Sequence, residues 1–89
     1  MSMTARKPVS VGEMLVTEFM EPMELIQTAL AEAMGVPRKH VNELCNNRRR
    51  ITAETATVLA RVFGNSAEFW INIQARNVLN SRLSSSANA

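Results

Sequence analysis

Residues 27–46, with the sequence QTALAEAMGVPRKHVNELCN, restrict the fold more than any other part of the chain. Gly35 predicts a tight turn, because glycine adopts the positive φ of such a turn at little cost. The small side chain of Ala31 allows a second helix to approach the first closely. Val41 and Leu44, three residues apart, place an apolar stripe on that second helix. The spacing therefore predicts two short helices that cross at a steep angle, a helix-turn-helix.

The second helix of this pair has a polar outer face that is typical of contact with duplex DNA. Pro37 suits its first turn, where the missing N–H is not needed. Arginine can form a bidentate pair with guanine O6 and N7, and lysine can reach the same acceptors or a phosphate. The side chains predicted to contact bases are Arg38, Lys39, Asn42 and Glu43. Solvated surface charges are the alternative interpretation, and Glu43 can also act by repelling unsuitable sequences.

A further set of polar side chains is predicted to contact the DNA backbone. Gln27 opens the first helix of the pair, where backbone N–H groups already favour an anion, although an ordinary helix start is a close alternative. For His40 the alternative is a surface position beside that first helix. The predicted phosphate contacts are Gln27, Thr28, His40, Asn47, Arg48 and Arg49. Such contacts set register and affinity rather than sequence preference.

Charge is divided sharply along the chain. Residues 11–35 contain five glutamates and no lysine or arginine, whereas residues 36–50 contain five basic residues against a single glutamate. The basic segment is suited to phosphates, and the acidic helices are suited to a basic protein.

Composition indicates one small helical domain. The chain has 89 residues, of which 46% are apolar and 4% aromatic, a mixture that suits packed helices better than sheets. With one Cys, one His and no Asp, the chain offers neither a typical metal-ligand cluster nor a Ser-His-Asp arrangement. We therefore expect no enzyme, no cofactor and no metal site. A lone Cys45 fits a reducing cytoplasm, and no signal peptide or membrane span is predicted.

The hydrophobic period predicts five helices between two loose ends. We expect a flexible arm over residues 1–9, a folded domain over residues 10–82 and a disordered tail over residues 83–89. Ser10 and Glu13 have the spacing of a capping box, so the first helix is expected to begin at Val11 and to stop near Pro22. The other helices are expected over about residues 26–34, 37–46, 53–63 and 65–82.

The last predicted helix is apolar on two faces. At about 100° per residue, Phe69, Trp70 and Ile73 gather on one side of it. One surface helix in so small a domain cannot bury both faces against its own core, so the second face predicts a two-fold homodimer. That second face consists of Ile71, Ala75, Val78 and Leu79.

The helix-turn-helix residues resemble the Xre/Cro-like repressor superfamily, which implies an all-α, lambda-repressor-like domain of five helices. A longer run, residues 12–74, resembles the HigA-type, or VapI-like, antitoxins. The matching segments are GEMLVTEFMEPMEL, QTALAEAMGVPRKHVNELCNNRRRITAETATVLARVFG and NSAEFWINIQAR. The part most specific to that group is Glu68-Phe69-Trp70 followed by Ile73-Gln74.

The resemblance implies a dimeric cytoplasmic repressor that binds the double-stranded operator DNA of its own operon. It also implies neutralisation of a co-encoded RelE-like toxin, a ribonuclease that cuts messenger RNA at the ribosome. Matched by position, the base-facing residues are Arg38, Lys39 and Glu43, and the backbone-contacting residues are Gln27, Asn47 and Arg48. Two positions depart from the family pattern, because Ile26 stands where many relatives have a Ser N-cap and Asn47 where many have Gly.

The toxin is expected to bind the acidic side of the first helix, because RNA-cutting toxins are typically basic. The candidate residues are Glu13, Glu18 and Glu21, and a solvated helix face is the alternative interpretation. Two other functions stay open: a solitary Xre-type repressor without a toxin, and a protein-interaction module that uses the helix-turn-helix only as scaffold. The five basic residues of the 36–50 segment favour DNA binding, because a scaffold needs none.

Overall fold

The computed structural model describes the backbone of residues 9–88 and the side chains of residues 9–77. The first helix consists of α1 (Val11–Met14) and a π-helical segment (Leu15–Met20) that continues it. Four α-helices follow: α2 (Gln27–Met34), α3 (Arg38–Cys45), α4 (Ala53–Phe63) and α5 (Ala67–Asn88). Helix α2 packs on α3 as the helix-turn-helix pair, and α4 packs on α5. The all-α fold of five helices expected from the sequence is confirmed.

The first helix changes type after Met14. The Glu21 N–H donates to Val16 O at 2.9 Å, and the Leu25 N–H donates to Met20 O at 2.8 Å. These bonds span five residues instead of four, which is the π-helical pattern. Pro22 has no N–H to donate, and the regular helix ends just before it. The sequence period predicted one regular helix here and did not reveal the extra residue per turn.

All four aromatic side chains of the chain lie in one cluster. Phe19 of the first helix contacts Phe63 and Trp70, with ring centroids 4.8 and 5.2 Å apart. Phe69 meets Trp70 edge-on at 5.1 Å, a favoured aromatic geometry. Trp70 is fully buried, and its Nε1 donates to Asn65 Oδ1 at 2.9 Å. The cluster joins the first helix, α4 and α5 on the side of α5 that the sequence assigned to the core.

Most of the predicted helix ends are confirmed. Ser10 and Thr52 each accept a hydrogen bond from the backbone N–H three residues further on, at 3.1 Å. Gly35 and Gly64 adopt the left-handed conformation with φ of 72°. Asn47 adopts it as well, with φ of 59°, as expected for an Asn that closes the preceding helix. Helix α3 begins at Arg38, one residue later than predicted.

The start of α5 differs from the prediction. The helix was expected to begin at Asn65, but it begins at Ala67. Ser66 Oγ accepts the Phe69 N–H at 3.1 Å and so provides the cap. Asn65 is not available for capping because its side-chain oxygen accepts the buried indole N–H of Trp70.

The end of α5 also differs from the prediction. We expected the helix to end near Arg82 and residues 83–89 to form a disordered tail, but the helical backbone continues to Asn88. Neither Gly nor Pro follows Arg82 to stop the helix. The predicted arm, apart from Val9, and the final residue Ala89 lie outside the described residues.

Helix α2 begins without a side-chain cap. Ile26 occupies the N-cap position with extended backbone, φ −86° and ψ 163°, and has no oxygen to accept a backbone N–H. Its side chain is 67% exposed, so the residue contributes little burial either.

Replacing Ile26 with Ser should stabilise the protein. A serine at this position can accept an otherwise unpaired N–H of the first turn of α2, so we expect Ile26→Ser to raise the free energy of unfolding by about 1 kcal/mol. The change would be measured by urea denaturation. Met23→Ser, which also shortens an exposed apolar side chain but creates no cap, should leave the stability unchanged. A stability no greater than that of the wild type would show that the first turn of α2 does not use a cap.

Candidate nucleic-acid interface

Two exposed basic side chains open α3. Arg38 and Lys39 form its first turn, and neither makes a salt bridge with another described residue. The unpaired backbone N–H groups and the helix dipole already make this end of the helix positive. Two cations here are unfavourable for the isolated helix but well suited to an anion that approaches it. Arg38 and Lys39, two of the four predicted base-contacting residues, are therefore accessible and lie in a positive field.

The predicted contacts Asn42 and Gln27 lie against each other. Asn42 Nδ2 donates to Gln27 Oε1 at 3.2 Å, which joins the middle of α3 to the start of α2. Each amide retains further hydrogen-bonding capacity, a donor group on Gln27 and an acceptor on Asn42. Thr28, the next residue of α2, is exposed.

Glu43 is paired with Arg49. The Nε and Nη2 atoms of Arg49 both donate to Glu43 Oε1, at 2.8 and 2.7 Å. Hydrogen bonding to the Arg49 guanidinium holds the pKa of the Glu43 carboxyl below its ordinary value. The structure thus brings a predicted base contact and a predicted phosphate contact together as an ion pair, in which Glu43 orients the arginine.

Asn47 anchors the loop that follows α3. Its Oδ1 accepts the Gly12 N–H at 2.9 Å, and its Nδ2 donates to Ser10 Oγ at 2.9 Å. The backbone of the first helix approaches the end of α3 closely here. A Cβ built on Gly12 would lie 2.5 Å from Cys45 O. The side chain predicted to contact a phosphate is therefore already bonded to the start of the first helix.

Gln74 of α5 holds the other end of the same loop. The Ile51 N–H donates to Gln74 Oε1 at 2.8 Å, and Gln74 Nε2 donates to Ile51 O at 3.1 Å. Ile51 is buried, so without this amide both backbone groups would lack a partner. We call residues 46–51 the basic loop; Arg48 and Arg50 are exposed between its two anchors. Sequence reasoning used Gln74 only as part of a family motif, and nothing local to it indicated this contact.

His40, a predicted phosphate contact, lies partly against the protein. The side chain is half-buried, and its Nε2 atom is shielded from solvent with no hydrogen-bond partner among the described residues. Burial lowers the pKa of His40, and the nearby Arg49 charge lowers it further. The Nε2 atom therefore faces the protein, whereas the alternative interpretation placed the side chain on the surface.

The residues predicted to bind proteins fall into two groups. Glu13, Glu18 and Glu21 are exposed along the first helix. On the predicted dimer face, Ile71 is half-buried against the core and Ala75 is exposed, while the side chains of Val78 and Leu79 lie outside the described residues. No helix within the described part of the chain is long and apolar enough to cross a membrane.

A helix-turn-helix family model matches residues 17–70. Antitoxin HigA-1 of Vibrio cholerae is 55% identical over 74 residues, which cover 83% of this chain and 70% of that relative. The chain belongs to the HigA-type helix-turn-helix family. An uncharacterized HTH-type transcriptional regulator of Haemophilus influenzae is 47% identical over 83% of this chain and 69% of its own length. These relatives are antitoxins and transcriptional regulators, so this member of the HigA-type family is not an enzyme.

Several solved structures have the same fold as this chain. The antitoxin HigA of Pseudomonas aeruginosa, solved with the higBA promoter, gives a TM-score of 0.84 at 33% identity, over 92% of this chain and 89% of that one. A Pseudomonas aeruginosa protein in complex with its 18-bp operator DNA gives a TM-score of 0.86 at 33% identity, over 92% and 86% of the two chains. A HigA-family antidote protein of Coxiella burnetii gives 0.84 at 32% identity, over 93% and 90%.

Removing the Gln74 anchor should destabilise the protein. Gln74→Met keeps the length of the side chain but leaves the Ile51 N–H and C=O unpaired in a buried site, which we expect to cost about 1–3 kcal/mol of unfolding free energy. Urea denaturation measures this loss, and amide exchange at Ile51 should quicken. Gln27→Met is the matched control, because Gln27 bonds only a side-chain amide. Equal losses in the two variants would contradict a specific backbone anchor at Gln74.

Proposed function

We propose that this chain is an autorepressor that binds operator DNA through α3. The observation that carries the proposal is the exposed pair Arg38 and Lys39 at the positive N-terminus of the second helix of a helix-turn-helix. Membership of the HigA-type family supports it, since two relatives of the same fold are solved with promoter or operator DNA. In the major groove this helix end brings arginine and lysine to the base edges that they read best.

We assign the proposed DNA-binding residues to different tasks. Arg38, Lys39 and Asn42 contact bases, and Glu43 holds Arg49 toward the backbone. The phosphate contacts are Gln27, Thr28, Arg48 and Arg49. Asn47, the further predicted phosphate contact, also fixes the position of the basic loop through its bonds to Gly12 and Ser10. Phosphate contacts supply affinity on any sequence, so base preference rests on the three residues of α3.

Arg38→Ala should weaken binding to the operator by roughly 1–3 kcal/mol and relax the base preference. The measurement is a titration onto the DNA upstream of the chain's own gene and onto scrambled DNA of equal length, at two salt concentrations. Arg61→Ala is the matched control, because it removes the same charge from an exposed position on α4.

Binding of the wild-type protein to the two DNAs distinguishes the proposed functions. Preference for the upstream DNA supports the repressor. Weak and equal binding of the wild type to both DNAs would indicate non-specific phosphate attraction alone. A protein-interaction module that uses the helix-turn-helix as scaffold would then be the better description.

We also propose that two copies form a two-fold dimer through α5. Ala75 lies exposed on the face that also includes Ile71, whose side chain is only half-buried against the core. Val78 and Leu79 continue this face by helical period. A two-fold dimer would present two α3 helices to half-sites about one DNA turn, or 34–36 Å, apart.

Ala75→Glu should convert the dimer to a monomer and weaken operator binding together with it, because it places a charge in an apolar interface. Sedimentation velocity and operator titration measure the two effects. Ala33→Glu, at an exposed position on α2, is the control and should change neither. A monomeric variant that binds the operator as tightly as the wild type would separate dimerisation from DNA binding.

We further propose that the chain neutralises a RelE-like, mRNA-cleaving toxin, with Glu13, Glu18 and Glu21 facing it. The support is the name of the relative from Vibrio cholerae, an antitoxin, and the exposed acidic side of the first helix. The test is a translation extract to which the protein encoded next to this chain's gene is added. Loss of messenger RNA that this chain prevents supports the proposal. A neighbour without effect on messenger RNA favours a solitary repressor.

A further inference from the structure

Two large apolar side chains are exposed in one short turn. Among the residues whose side chains are described, Met23 and Ile26 are the exposed large hydrophobic residues, at 57% and 67%. Both belong to the turn between the first helix and α2. Scattered apolar residues on a surface need no explanation, but neighbouring ones are typical of an interaction site.

Two residues of the same turn are of types that are unfavourable at their positions. Glu24 adopts φ of 53°, a left-handed conformation that favours Gly or Asn over other residues. Ile26 occupies an N-cap position, where Ser, Thr, Asp or Asn is preferred. Natural sequences are locally consistent with their fold except where function requires otherwise. A turn with an uncapped helix, a strained Glu and two exposed apolar side chains is therefore a candidate for function.

A groove beside this turn provides space for a partner's side chain. It has a volume of about 480 Å³ and is open to solvent. Its lining is mostly apolar and carries two carboxylates. The lining residues are Val16, Met20, Glu21, Glu24, Leu25, Ile26, Gln27 and Cys45. The arrangement fits an apolar side chain flanked by positive charges.

The chain segment that supplies most of the groove's lining carries charge of one sign. Every charged residue between positions 9 and 37 is a glutamate, and all of them are exposed: Glu13, Glu18, Glu21, Glu24 and Glu32. None makes a salt bridge with another described residue. A partner that approaches this surface gains attraction if it is basic, and it suffers repulsion if it is acidic.

We propose that residues 21–26 form a docking surface for a basic partner protein. The partner places an apolar side chain in the groove and lysine or arginine side chains against Glu21 and Glu24. The proposal rests on the antitoxin function above, in which the partner is the basic toxin encoded next door. A second copy of this chain is less suited, because five of its basic residues lie on α3 and the basic loop and would be withdrawn from DNA.

Two variant pairs separate the apolar and the charged contributions. Met23→Gln/Ile26→Ser removes the exposed apolar side chains, and Ile26→Ser should also stabilise the fold, so loss of binding cannot reflect unfolding. Glu21→Lys/Glu24→Lys reverses the charge at the edge of the groove. Glu32→Lys/Glu54→Lys is the matched control, since it reverses two exposed carboxylates that do not line the groove.

The experiment measures association and dissociation rates between the full chain and the purified protein encoded by the adjacent gene, at low and high salt. We expect the apolar pair to speed dissociation about tenfold, because central apolar contacts dominate interface energy. We expect the charge pair to slow association about tenfold at low salt and to remove most of its salt dependence. The control pair should dissociate at the wild-type rate and retain most of the salt dependence.

Each outcome has a distinct meaning. No binding by the wild type removes the antitoxin function and the docking proposal with it. Wild-type binding with unchanged rates in both test pairs leaves the antitoxin function and overturns the docking surface alone. If the test pairs instead alter only self-association in sedimentation, the occupant is a second copy of this chain and the proposed partner is wrong.

Discussion

The position of α3 depends on a close approach between Gly12 and the end of that helix. A Cβ on Gly12 would come within 2.7 Å of Leu44 O, so the contact requires glycine. Asn47 also links the two elements by a hydrogen bond. Its Oδ1 accepts the Gly12 N–H, which is one of the donors at the start of the first helix that have no partner within the helix. The first helix, α3 and the basic loop are thereby held as one unit, so the loop is ordered without a partner.

Two surfaces of this unit carry residues that folding alone does not favour. Cations at the N-terminus of α3 oppose its dipole, and Ile26 leaves α2 uncapped. One surface is basic and the other acidic. They are adjacent at the start of α2, where Gln27 lines the groove and accepts a hydrogen bond from Asn42 of α3.

Helix positions, turns and the apolar face of α5 were predictable because each depends on residues within a few positions of one another. Gly35, Gly64 and Asn47 at left-handed positions are of this kind. The side-chain contacts of the site were not predictable. Asn47 bonds a residue 35 positions away and Gln74 one 23 positions away, and no local pattern specifies such a partner. The same holds for the Glu43–Arg49 pair, since periodicity places both on the surface but does not join them.

The indole of Trp70 has a consequence for spectroscopy. The chain contains one tryptophan and no tyrosine, so its near-ultraviolet fluorescence arises from a single buried ring. That ring contacts Phe19, Phe63 and Phe69 and is remote in sequence from α3 and the basic loop. Its emission therefore reports whether three helices remain packed together, without interference from a second fluorophore. Unfolding of the domain can therefore be followed by fluorescence in the unmodified protein.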